Sequence, residues 1–94
     1  MARYRLSTTA DAKIASIYEY SILNFGEAQA DAYFLGMHDL FALLASNPRM
    51  GRAEPELGVG IHRFLYEAHI IFYKPVEDGI LILDLLGVRE KFKP

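Results

Sequence analysis

The chain has no cysteine and no tryptophan, no excess of positive charge and no long apolar run. Without cysteine, disulfides, thiolate nucleophiles and zinc–thiolate centres are excluded. The three histidines, His38, His62 and His69, lack the paired spacing of a metal site, so neither a metal nor a cofactor is expected. The formal net charge is −2, whereas a domain that holds nucleic acid through its phosphates carries a basic excess. Direct nucleic-acid binding is therefore not expected. The opening MARYRLSTTAD has no apolar signal region, and no stretch approaches the ~18 apolar residues of a membrane span. A cytoplasmic protein without a membrane segment is the expectation.

What is present is apolar. Hydrophobic residues make up 52% of the 94 positions and aromatics 13%, which is ample for one small core. A domain of this size leaves some of that surface for a partner. No linker, repeat or low-complexity stretch divides residues 1–94, so a single domain is expected.

RYRLS alternates Arg3 and Arg5 with Tyr4 and Leu6, the pattern of a half-buried strand. Thr8-Thr9-Ala10-Asp11 reads as a capping box opening a helix that runs to about Asn24. Its apolar stripe is Ile14, Ile17, Tyr18, Ile22 and Phe25. Gly26 releases the chain into a second helix, with Ala30, Tyr33, Phe34, Met37, Phe41 and Leu44 on one side, ended by Asn47-Pro48. Two such helices joined by a tight turn pack as an antiparallel hairpin. Beyond Gly60, IHRFLYEA, HIIFYKPV and ILILDLLGV are short, rich in β-branched and aromatic residues, and read as strands. Glu77-Asp78-Gly79 joins the last two as a hairpin turn, while Glu67-Ala68-His69 offers little turn chemistry. The class is α+β in the order β-α-α-β-β-β, a helical hairpin packed on a small antiparallel sheet.

Charged and polar side chains concentrate in NPRMGR (Arg49, Arg52) and on the strands (His62, Arg63, Tyr66, His69, Tyr73, Lys74, Arg89). These are the residue types of a general acid–base ribonuclease, which needs an acid, a base and cations for the developing charge. Each also has a plain structural role. Arg49 and Arg52 suit solvated loop cations at a helix C-terminus. If Ile61 and Leu65 point inward, Arg63 shares their face at the core edge and needs Glu54, Glu56, Glu67 or Asp84 as partner. The tyrosines suit packing, because an unperturbed phenol titrates near ~10. Asp84 in an apolar strand must lie at an edge or be paired. His38 and Asp39 would form the wet face of the second helix.

Taken in order, Tyr4-x-Leu6-Ser7, a tyrosine at 18 or 20 before Phe25-Gly26-x-x-Gln29-Ala30, Asn47-Pro48-x-x-Gly51-Arg52, Gly60-x-x-Arg63 and His69-x-Ile71-x-Tyr73 form a specific set. Over nearly the whole chain the sequence resembles the ParE branch of the RelE/ParE toxin superfamily. The resemblance implies the toxin of a type II toxin–antitoxin pair, inhibiting DNA gyrase and neutralised by a ParD-like antitoxin. Target contacts are expected through the C-terminal residues Arg89, Glu90, Lys91 and Phe92. Antitoxin contacts are expected at Tyr18, Phe34, Phe41, Arg49 and Arg52, with Arg63 and His69 as scaffold. The alternative is the RelE branch, a ribosome-dependent mRNA endoribonuclease. Its lysine cluster before Arg63 is replaced here by Glu54 and Glu56, and Phe92 stands where a late tyrosine is needed. No catalytic residue is therefore assigned and an enzyme is not expected. The chain also departs from the ParE pattern, with Gly87 where a histidine-containing turn is common.

Overall fold

The computed structural model describes residues 2–88. Arg89, Glu90, Lys91 and Phe92, expected to contact the target, lie outside the described residues. The chain runs β1 (Arg3–Leu6), α1 (Thr8–Phe25), α2 (Glu27–Ser46), β2 (Arg52–Ala53), a 3-10 turn (Pro55–Leu57), β3 (His62–Tyr66), β4 (His69–Val76) and β5 (Gly79–Gly87). The strands form one sheet in the order β1-β5-β4-β3-β2, with both helices on one face.

The first helix is capped one residue earlier than the capping-box reading placed it. Ser7, with extended backbone, accepts from the Ala10 amide at 3.0 Å. Ala10 then occupies the third helical position, so the reciprocal carboxylate of a capping box is missing. Asp11 still lies in the first turn, where the helix dipole favours a negative charge. The Ser7 hydroxyl donates to the Leu83 carbonyl at 2.7 Å and so ties the helix start to β5. Gly26, at φ 91°, lies between the two helices and donates its amide to the Ile22 carbonyl. This positive φ is costly for a residue with a Cβ.

The α2 stripe forms the centre of the core. Ala30, Phe34, Met37, Phe41 and Leu44 are buried, and Tyr33 packs beside them. They meet Ile71 and Tyr73 of β4 and Ile80, Ile82 and Leu85 of β5. Fully burying one such aliphatic or aromatic side chain stabilises the fold by about 1.5–3 kcal/mol. From α1, Ile14, Ile17 and Tyr18 pack against this cluster, while Phe25 stays 57% exposed past the end of the seam.

Two features of the sheet differ from a simple antiparallel arrangement. β1 pairs in parallel with β5 (Arg3 opposite Gly79, Leu6 opposite Ile82), because the helical hairpin intervenes between β1 and the remaining strands. β2 is a two-residue strand on the outer side of β3, pairing Arg52 with Arg63 and Ala53 with His62. All other pairs are antiparallel. The inward face of β3 is Phe64 and Tyr66, while Leu65 is 61% exposed on the other side. Arg63 therefore shares an outward face with Leu65, correcting the inward orientation considered from alternation alone.

Turns and edges account for the remaining polar groups. Gly79 (φ 155°) follows the Glu77-Asp78 turn, and a Cβ there would lie 1.6 Å from the Arg3 carbonyl oxygen. β1 thus docks against bare glycine backbone. The Glu67-Ala68 turn works without glycine by holding Glu67 at φ 51°, a conformation disfavoured for residues with a Cβ. Asp84 lies beside Lys13 of α1 at 3.0 Å, and Lys13 also donates to the Leu85 carbonyl at 3.1 Å. The carboxylate in the apolar strand is partnered from the helix.

Candidate functional site

NPRMGR is built as a rigid knuckle. Asn47, held out of the helical region before Pro48 (φ −135°, ψ 68°), ends α2 and donates its backbone amide to the Leu43 and Leu44 carbonyls. Its side-chain amide donates to Leu43 at 3.1 Å, and the Met50 amide closes the turn onto the Asn47 carbonyl at 2.9 Å. The far side of the knuckle is held by Tyr73. This fully buried hydroxyl accepts from the Gly51 amide at 2.8 Å and donates to the Pro48 carbonyl at 2.8 Å. A Cβ on Gly51 would meet the Tyr73 hydroxyl at 2.3 Å and the Arg63 carbonyl at 2.7 Å, so only glycine fits.

The two loop arginines part company here. Arg52 turns towards Glu54 at 3.9 Å, and Glu54 is held more closely by Arg63 at 2.8 Å. Of the four carboxylates considered for Arg63, the partner is Glu54. Arg49 instead lines an open groove of about 650 Å³ with Asn47, Pro48, Met50 and Pro75. Among the described residues its guanidinium has no ion pair or hydrogen bond.

Of the other sheet residues with acid–base character, His62, His69 and Tyr66 are already engaged, while Lys74 is exposed. His62 stacks on the Tyr73 ring at 5.5 Å between centroids, with its Nδ1 2.9 Å from the Gly60 carbonyl. His69 Nδ1 meets the Tyr33 hydroxyl at 2.7 Å, and Tyr66 donates to the Tyr33 carbonyl at 2.9 Å. Burial, reinforced by Tyr66 and Glu67 nearby, pushes the Tyr33 hydroxyl up to about 12. Burial likewise raises Tyr66 and Tyr73, although the Gly51 amide partly offsets it for Tyr73. Phenols shifted upward keep their protons near neutrality and are poor bases there. His38 does not lie on a wet face: it pairs with the Tyr4 hydroxyl at 2.6 Å, bridging α2 to β1, while Asp39 is exposed. Position 38 borders the buried stripe through Met37 and Phe41, which turns its ring towards the sheet.

Of the residues expected to meet an antitoxin, Arg49 and Arg52 are exposed on the knuckle. Tyr18 sits half-buried between the helices, donating to Asp31 at 2.5 Å and edge-on to Phe34. Phe34 and Phe41 are 7% and 0% exposed and belong to the core. The sequence reading missed the groove and the Tyr73 clamp. Pro75, two residues after Tyr73, was the available signal, but its approach to Met50 depends on tertiary contact that no local pattern carries.

Charge is unevenly distributed over the molecule. The helices carry Asp11, Glu19, Glu27, Asp31 and Asp39 against Lys13 alone. By register, the helix-free face of the sheet brings together Arg5, Arg52, Arg63 and Lys74 around Leu65, Phe72 and Leu81. Among the described residues no cluster of three or more His, Asp or Glu could hold a metal, and no helix is long and apolar enough to cross a membrane.

This architecture has named relatives. The chain is 30% identical over 80 residues to Toxin ParE1 of Mycobacterium tuberculosis, covering 85% of this chain and 82% of that protein. It is 32% identical over 74 residues to Toxin ParE1 of Caulobacter vibrioides, covering 79% and 77% respectively. A solved chain described as the chromosomal ParDE TA system from P. aeruginosa superposes with a TM-score of 0.76 at 18% identity, covering 94% of this chain and 97% of that one, which is a likeness of fold. The family described as ParE toxin of type II toxin-antitoxin system, parDE, matches residues 4–92. The chain therefore belongs to the ParE toxin family of type II toxin–antitoxin systems.

Proposed function

We propose that this toxin acts by protein contact, arresting DNA gyrase, and that a ParD-like antitoxin neutralises it by folding over its surface. The observation that carries the non-enzymatic part is the engagement of the histidines and tyrosines nominated for acid–base work, and of Arg63. Tyr73 bridges Pro48 and Gly51, His69 meets Tyr33, and Arg63 holds Glu54. An acid–base ribonuclease needs such groups free to reach a phosphate.

The target contact is assigned to Arg89, Glu90, Lys91 and Phe92, and the antitoxin contact to Tyr18, Arg49 and Arg52. Phe34 and Phe41 support that surface from beneath by holding α2 on the sheet. The outer edge of β3 is a further antitoxin contact, because β2 pairs only with His62 and Arg63 and, among the described residues, leaves 64–66 unpaired on that side. An exposed edge of this kind accepts an added strand.

Induction in bacteria, with and without the product of the adjacent reading frame, tests the reading. Growth arrest with intact mRNA, relieved by that product, is the expected result. Ribosome-dependent mRNA cleavage would replace this reading with the ribonuclease, and unaltered growth would leave a binding protein without toxicity.

A further inference from the structure

The knuckle has more structure than a connection requires. Its groove of about 650 Å³ is walled by Pro48, Met50 and Pro75, with Asn47 and Arg49 as the polar residues. The two prolines contribute no backbone N–H, so these walls offer little for a strand to pair with. They suit an inserted side chain instead. Met50, 39% exposed, supplies a flexible and polarisable wall that can adapt to the shape of that side chain.

The groove is also preformed. Its backbone is fixed by the Tyr73 hydroxyl at both Pro48 and Gly51, and by the Met50–Asn47 turn bond. A fixed backbone loses little freedom on binding, so on the toxin side only the Arg49 and Met50 side chains remain to be ordered. Charge then selects the ligand. Arg49 has no carboxylate partner among the described residues, unlike Arg52 and Arg63, which share Glu54. The acidic groups Glu77 and Asp78 lie at the turn after β4, and Asp78 is engaged by Arg5 at 3.7 Å.

We infer that this groove receives one apolar side chain of the antitoxin, with Arg49 gripping a carboxylate next to it in the antitoxin chain. The inference rests on the toxin–antitoxin reading and assigns the partner chemistry of one site within it. A segment that folds on binding gains most from anchors of this kind, because each must offset its own ordering. At about 650 Å³ the groove has ample room for an inserted apolar side chain.

The test uses full-length toxin and full-length antitoxin, comparing wild type with Arg49→Glu, Met50→Glu and Arg52→Glu. Melting temperature confirms folding of each toxin variant, and titration gives the dissociation constant. Arg49→Glu and Met50→Glu are expected to weaken binding at least tenfold with unchanged melting. Arg52→Glu should weaken it less. An antitoxin carrying lysine in place of one acidic residue should restore affinity for Arg49→Glu but not for Met50→Glu. Wild-type affinity in both groove variants would overturn the inference while leaving the toxin reading intact, whereas failure of the wild-type toxin to bind would overturn both. Two further outcomes also overturn it: unchanged antitoxin affinity with lost gyrase inhibition gives the groove to the target, and a toxin dimer dispersed by Met50→Glu gives it to a second copy.

Discussion

The two faces of the central sheet are made from the same strands and serve different ends. On the covered face Tyr4, Phe64, Ile71, Tyr73, Ile80, Ile82 and Leu85 meet the α2 stripe, and the tyrosine hydroxyls there are hydrogen-bonded. On the other face Arg5, Arg52, Arg63 and Lys74 stand among Leu65, Phe72 and Leu81, with Leu65 61% exposed. An antiparallel sheet can tolerate water on one face, but an exposed Leu65 beside half-buried Phe72 and Leu81 and among cations is better suited to a partner than to solvent. Stability is decided on the covered face, which leaves the open face and the adjoining knuckle free for recognition.

Breaking the covered face should have the largest effect. Phe41→Ala, at a position with 0% exposure, is expected to lose about 3–5 kcal/mol in urea unfolding. Tyr73→Phe keeps the ring but strands the Gly51 amide and the Pro48 carbonyl, for a loss of about 1–3 kcal/mol by the same measurement. Alkaline pH attacks the same layer. Because Tyr33 is raised from 10.0 to about 12, its contribution is complete below pH 10 and is lost as pH rises through 12. Circular dichroism against pH should show unfolding in that window, and Tyr33→Phe should move the onset upward.

On the open side, Arg63→Ala breaks the 2.8 Å pair with Glu54 and should cost about 1 kcal/mol, more than it changes target binding. Normal melting with lost toxicity would contradict that order. Leu65→Ser should be smallest, within about 0.5 kcal/mol, as for other exposed positions. A loss as large as that of Tyr73→Phe would erase the distinction between the faces.

Local periodicity made the framework legible. The α2 stripe from Ala30 to Leu44 and the Glu77-Asp78 turn are both where their spacing and turn chemistry put them. Features set by long-range register were not legible. Whether Leu65 or Phe64 faces inward depends on how β3 pairs with β4, and a one-residue change reverses the answer. The cap moved from Thr8 to Ser7 because either hydroxyl could serve by sequence, while only Ser7 also reaches the Leu83 carbonyl. For the site, the sequence singled out NPRMGR and the need of Arg63 for a carboxylate. It could not separate Arg49 from Arg52, because the sheet brings Arg63 to Glu54 beside Arg52 and Pro75 to the groove beside Arg49.

The most direct test of toxicity by protein contact is a supercoiling assay with purified gyrase, relaxed plasmid and the intact toxin. Loss of supercoiling with accumulation of cleaved DNA is expected, restored to normal when the antitoxin is added in equal amount. Full supercoiling in the presence of excess folded toxin would contradict it.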